Sequence, residues 1–242
     1  MGVHLERAQV LVQLGRAAQA EEQLRRALAE RPENFEAHRL LAWCLASQGQ
    51  LPQARAEAEE AIRLQPDAAL AHYTFGWILI QQGRWKEAEN ALREAIRLNP
   101  RDADYFFMLA HLFSKRNLWR ESAEAAREGL RLDPKNVNCA NSLAHALLQM
   151  KRPREAQEAL RIAMDHDPEN AWAHINQGWL YQMQKKPTES LHHYREAARI
   201  NPENTAVHKC IKQLQEHPFA WGALLPILYF VIKFLVYLLA KN

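Results

Sequence analysis

Small and apolar side chains return along this chain at a fixed interval, and each interval contains two stretches with helical spacing. The stretch from Gly83 to Pro100 shows the pattern most clearly: Ala88, Leu92 and Ala95 fall four and three residues apart, one face of a helix. Gly83 stands in the turn before it and Pro100 closes it. The closing proline recurs at Pro32, Pro66, Pro100, Pro134, Pro168 and Pro202, always 34 residues apart. Proline cannot continue a helix and pushes the preceding residue out of helical geometry, so six evenly spaced prolines predict six helix stops. A strict period of this length predicts stacked helix pairs, a solenoid.

With each proline at position 32, the units run 1–34, 35–68, 69–102, 103–136, 137–170 and 171–204. Three columns hold only small residues. Position 8 is Ala8, Ala42, Gly76, Ala110, Ala144 and Gly178; position 20 is Ala, or Ser at Ser122 and Ser190; position 27 is Ala, or Gly at Gly129. Antiparallel helices approach to roughly 8–10 Å only where side chains are nearly absent, so these columns predict the helix–helix contacts. Larger apolar residues alternate with them: Leu41, Phe75, Leu109 and Leu143 at position 7, and Leu24, Leu92, Leu160 and Tyr194 at position 24. Gly15, Gly49 and Gly83 mark the turn inside a unit. Lys151 and Lys185 replace the glycine later, each followed two residues on by a proline that suits a helix start. Arg7 occupies a core column, which predicts an incomplete or frayed first unit.

These columns resemble the tetratricopeptide repeat family. Its pattern is matched in the third unit by Phe75-Gly76, Leu79, Ala88, Leu92, Ala95 and Pro100, and in the sixth by Gly178, Tyr181, Tyr194, Ala197 and Pro202. The resemblance implies an all-α fold, a right-handed superhelical solenoid of antiparallel helix pairs over residues 1–204. It implies binding rather than catalysis.

After Pro202 the apolar stripe Val207, Ile211 and Leu214, opposite Lys209, Lys212, Gln213 and Glu216, predicts a capping helix over 205–217. Pro218 ends it. Residues 219–240 then carry a single charge, Lys233. A helix of that length spans about 33 Å, enough for a hydrocarbon core of roughly 30 Å. Thirteen of its residues are Leu, Ile, Val or Phe, together worth roughly −4 to −8 kcal/mol on insertion against about +3 for a midplane lysine. The magnitudes predict a transmembrane helix, with Trp221 and Tyr237 near its interfaces and a kink at Pro226. Tyr229, Lys233, Tyr237 and Lys241 recur every four residues, a seam suited to contact with another membrane helix and so to a homo-oligomer formed through the tail.

Composition removes several alternatives. Thirty-one basic and 28 acidic residues nearly balance, with no basic run interleaved with aromatics, so nucleic acid is not an expected partner. Cys44, Cys139 and Cys210 form no metal-binding or disulfide pattern. The histidines at position 4 (His4, His38, His72, His174, with His208 in register) are a repeat apart and read as inheritance. No nucleophile–base motif or phosphate loop is present, so no enzyme activity, metal or cofactor is expected. The N-terminus lacks a signal-like apolar core and, with Glu6 at position six, a myristoylation pattern.

The resemblance further implies that positions 2, 5, 9, 12 and 13 of each unit line a concave groove. Those columns include Arg39, Trp43, Tyr73, Trp77, Phe107, His111, Asn138, Asn141, His145, Trp172 and Trp179. Aromatic residues on such a face suit a helical or extended peptide of a partner protein. Tyr73, Phe107 and Trp77 stand where some relatives place carboxylate-gripping cations, so that specificity does not carry over. The expectation is a single-pass membrane scaffold held by its C-terminus with the solenoid in the cytoplasm. Its alternative is a recruiting or sensor subunit of a membrane enzyme whose catalytic part is another chain.

Overall fold

The computed structural model describes residues 2–216, in which every regular element is an α-helix. The first helix of each unit is followed by a slightly longer second one: α1 (Val3–Gln13) and α2 (Ala17–Glu30), α3 (Phe35–Ser47) and α4 (Leu51–Leu64), α5 (Ala69–Gln81) and α6 (Trp85–Leu98), α7 (Ala103–Lys115) and α8 (Trp119–Leu132), α9 (Val137–Gln149) and α10 (Pro153–His166), α11 (Ala171–Met183) and α12 (Pro187–Ile200). The last helix, α13, covers Thr205–Glu216. Each of the six periodic prolines lies two residues beyond the end of a second helix. Two compact units make up the chain, Met1–Ser142 and Leu143–Asn242, and the boundary falls inside α9.

In the first unit each helix packs on its sequence neighbours from α1 to α7, and α8 packs on α7. First helices of successive repeats also touch one another, α1 with α3, α3 with α5 and α5 with α7, so they form the inner layer. In the second unit α10, α11, α12 and α13 pack in sequence. The three small columns are buried throughout: Ala42, Ala54, Ala88 and Ala95 have no exposed surface, nor do Ala144, Ala156 and Ala197. A Cβ at Gly76 would lie 2.8 Å from the Leu92 side chain, and one at Gly178 would lie 2.8 Å from the Tyr194 ring. The large residue at position 24 therefore occupies the room that glycine leaves at position 8. Ser122, at position 20, is accommodated against position 8 of its own unit, where its hydroxyl donates to the Ala110 carbonyl at 2.9 Å.

The turn inside each unit has one geometry whatever residue fills it. Gly83 N–H donates to Ile80 O at 3.0 Å and Arg84 N–H to Leu79 O at 2.9 Å; Lys185 N–H donates to Gln182 O at 3.0 Å and Lys186 N–H to Tyr181 O at 2.9 Å. This paired closure needs a left-handed residue. Gly15, Gly49 and Gly83 meet it at φ of 70°, 78° and 73°, and Asn117, Lys151 and Lys185 meet it at 58°, 57° and 59°. A side chain in that region costs roughly 1–2 kcal/mol. Pro153 and Pro187 open α10 and α12, where the first turn has no need of their missing N–H.

One expectation changes here. The first unit is not frayed: α1 is formed, with Leu5 and Ala8 buried, and Arg7 points outward. The capping helix does form, with Val207 and Leu214 buried and Lys209, Lys212, Gln213 and Glu216 exposed. Among the described residues no helix is long and apolar enough to cross a membrane. The predicted span over 219–240, with Trp221, Pro226, Tyr229, Lys233 and Tyr237, lies outside the described residues.

Candidate functional site

Helical spacing places Leu70, Tyr73 and Trp77 along one side of α5, at intervals of three and four. Their neighbours on the inner layer complete an aromatic surface in the first unit. Trp43 of α3 stacks on Trp77 with ring centres 6.1 Å apart and planes 24° off parallel. Tyr73 meets Tyr105 of α7 at 5.3 Å, and Phe107 meets His111 one helical turn further along α7 at 6.3 Å. Trp43, Tyr73, Trp77, Phe107 and His111 are each half-buried. Trp43 and Trp77 rest on the apolar core formed by α1 to α5 and stay partly exposed.

Charge on this surface is largely internal. Arg39 donates to both oxygens of Glu36, at 2.8 and 2.7 Å, and its side chain is only 15% exposed. A guanidinium held in that fork is spent on its neighbour. Burial raises the Tyr73 phenol to about 12, with the Asp104 and Asp102 carboxylates adding to the shift. Both carboxylates stand at the start of α7, where Asp102 accepts the Asp104 N–H at 3.0 Å as the helix cap. Asp104 in turn accepts from the Asn136 amide at 3.0 Å.

The eleven residues expected on one groove fall into two sets, one in each unit. Arg39, Trp43, Tyr73, Trp77, Phe107 and His111 belong to the first, with Asn138 exposed at the start of α9. Asn141 needs correction: it has 0% exposed surface, so it does not line a groove, although Asn138 and His145 on the same side of α9 reach the surface. In the second unit the His145 ring lies 5.7 Å from Trp179 and 6.5 Å from Trp172, and all three are half-buried. His145 Nδ1 also meets Asn176 Oδ1 at 3.4 Å, and burial lowers the His145 pKa.

Sequence reasoning missed Leu70, which is 45% exposed beside the Tyr73–Trp77 row and occupies position 2, one of the expected lining columns. It also missed what the repeated histidine does. The Nε2–H of His38 donates to Pro32 O at 2.8 Å, that of His72 to Pro66 O at 2.8 Å, that of His174 to Pro168 O at 2.9 Å and that of His208 to Pro202 O at 2.8 Å. Each ring ties the start of one repeat to the proline that closed the last. The spacing of six residues from proline to histidine was the available signal. Position 23 faces the Nδ1 of the position-4 histidine in three units: Gln23 for His4 at 2.9 Å, Glu57 for His38 at 2.6 Å and His193 for His174 at 3.0 Å. With Nε2–H committed to Pro168, His174 accepts at Nδ1 from the His193 Nδ1–H. Among the described residues no group of three or more His, Cys, Asp or Glu could hold a metal ion.

Sequence profiles described as tetratricopeptide repeat match residues 5–69 and 141–205, and a second such profile matches 45–112. No curated protein matches the chain. Among solved structures it is similar to the APC/C hetero-tetramer Cut9–Hcn1, at 19% identity and a TM-score of 0.75, covering 87% of this chain and 42% of that one. It thus spans less than half of that relative. Similarity to pilF of Pseudomonas aeruginosa (20% identity, TM-score 0.71) covers 88% of this chain and 96% of the other. Similarity to YrrB, described as a TPR protein with an unusual peptide-binding site, covers 78% and 97% at 22% identity and a TM-score of 0.53. Identities this low establish a common fold and no more. The profile matches cover more than half of the sequence, and the chain belongs to the tetratricopeptide repeat family.

Proposed function

We propose that this protein is a non-catalytic interaction scaffold that captures a helical or extended segment of a partner protein on the inner layer of its repeats and is held at a membrane by residues 219–240. The observation that supports it most is the row of Leu70, Tyr73 and Trp77, widened by Trp43 and Phe107: large apolar side chains brought together at the surface of adjacent inner helices, apart from the exposed Val3, Val10 and Leu14 of the first helix and its end. Aromatic anchors of this kind carry most of the energy in protein interfaces. YrrB, whose structure is described as having a peptide-binding site, adds an analogy at the level of fold. The membrane part rests on the apolar run over residues 219–240 and its single lysine.

Two measurements test the proposal together. The full chain should sediment with membranes and resist alkaline extraction, whereas residues 1–217 should not. Partners captured by the full chain should be lost with Leu70→Lys, a change at an exposed site that leaves the helical content intact. Recovery of the full chain in the aqueous phase sinks the anchor; capture indifferent to Leu70 sinks the surface.

A further inference from the structure

Beside the aromatic row of the first unit lies an open notch of about 380 Å³, lined by Asn99, Arg101, Asp102, Ala103, Asp104, Asp133 and Asn136. Its three carboxylates accept only from uncharged donors: Asp102 from the Asp104 N–H, Asp133 from the Lys135 N–H and Asp104 from the Asn136 amide, each at 3.0 Å. Arg101 is the one cation in the lining, so two negative charges are left over. The notch and the aromatic row are electrically one place. Asp104 and Asp102 act on Tyr73, and Asp104 lies three residues before Phe107 on the same side of α7. Arg39 also acts on Tyr105, opposing Asp102 and Asp104, but the Glu36 carboxylate that holds it from both oxygens leaves the pair without net positive charge. Lys115 is at the other end of α7, about 16 Å away along the helix.

Building on the scaffold reading, we propose that the partner segment is basic as well as apolar: large apolar side chains cover Leu70, Tyr73 and Trp77 while a lysine or arginine enters the Asp102–Asp104–Asp133 notch. An acidic segment, or a chain end presented as a free carboxylate, meets like charge at the same place. Complementary charge of this kind selects partners and speeds their capture, and salt weakens it.

The test selects a displayed random-peptide library on the full-length protein in detergent. Enriched sequences should carry arginine or lysine among Trp, Leu and Phe. A labelled selected peptide should lose about fivefold in affinity on Asp104→Asn with Asp133→Asn, as expected for two exposed charge contacts. Its glutamine-substituted counterpart should be unmoved by the same change, and Leu70→Ala should weaken both. If the double variant fails to fold, the salt dependence of the wild-type protein decides in its place: affinity for the arginine peptide should fall with added salt and affinity for the glutamine peptide should not. Enrichment of acidic or uncharged peptides that still depend on Leu70 overturns the basic partner and leaves the scaffold standing. No enrichment dependent on Leu70 or Trp77 overturns both.

Discussion

Gly129 gives the sharpest test of how these repeats pack. It lies at position 27 of α8, where a Cβ would overlap Cys139 Sγ of α9 outright and would come within 3.3 Å of both Ala103 O and the Phe106 Cβ. In an unpacked helix Gly→Ala gains about 1 kcal/mol. Here the added methyl meets a sulfur with no exposed surface, and overpacking of a full core costs about 1–3 kcal/mol. Because the overlap with the buried sulfur is outright, the upper part of that cost applies, and Gly129→Ala should be a net loss approaching about 2 kcal/mol. Cys139→Ala alone removes the sulfur and its weak 3.5 Å contact to Ala103 O, at about 1 kcal/mol. In the double variant the new methyl takes the place of the sulfur, and the two remaining 3.3 Å contacts need shifts of only a few tenths of an ångström. Its stability should return close to that of the parent, leaving a favourable coupling of about 2–3 kcal/mol. Urea denaturation followed by circular dichroism measures all four proteins. Equal slopes against urea are required, since repeat arrays lose two-state behaviour easily. Additive losses, or a stabilising single Gly129→Ala, would refute the packing argument.

Other consequences are as specific. Lys151→Gly and Lys185→Gly should each stabilise by up to about 1 kcal/mol, because glycine removes the left-handed strain but adds freedom to the unfolded chain; a loss of melting temperature would mean that the lysine side chains do something the turn does not show. Ser122→Ala should cost about 1 kcal/mol, since its hydroxyl serves Ala110 O, whereas Ser190→Ala should be neutral or stabilising because the buried Ser190 hydroxyl has no partner. Equal effects in thermal melts would contradict this. His193 is held down to about 4 by burial first and then by His174 and His192, with Glu196 opposing. Its folded pKa lies below the ordinary 6.5, so the unfolded chain takes up the extra proton and stability should fall as pH drops from 6.5 towards 4. His193→Gln should flatten that part of the pH–melting curve.

The fold was legible because its signals agree at several levels. The period gives the helix stops, and the small columns at positions 8, 20 and 27 are the contacts the structure buries. The turn at Lys151 and Lys185 was harder to read: nothing local favours a left-handed lysine, and the helices on either side impose it. Arg7 misled because its side chain lies in solvent while Leu5 and Ala8 beside it carry the packing of α1. The candidate site was legible only by column. Position 5 predicted Asn141 at the surface along with Tyr73 and Phe107, yet Asn141 is buried. Conversely Leu70 lies in a lining column, at position 2, yet was not among the residues singled out, and it is exposed. The histidine–proline bonds join residues six apart across a repeat boundary, a distance that helical periodicity does not report.

Photocrosslinking tests the central claim most directly. A photoreactive phenylalanine at Leu70, on the inner layer, and another at Arg131, exposed on α8, are compared in full-length protein within the cells that make it. The account predicts a discrete crosslinked protein from position 70 that is absent at position 131 and reduced by Trp77→Ala. Crosslinks of equal yield at both positions, or none at position 70, would contradict it.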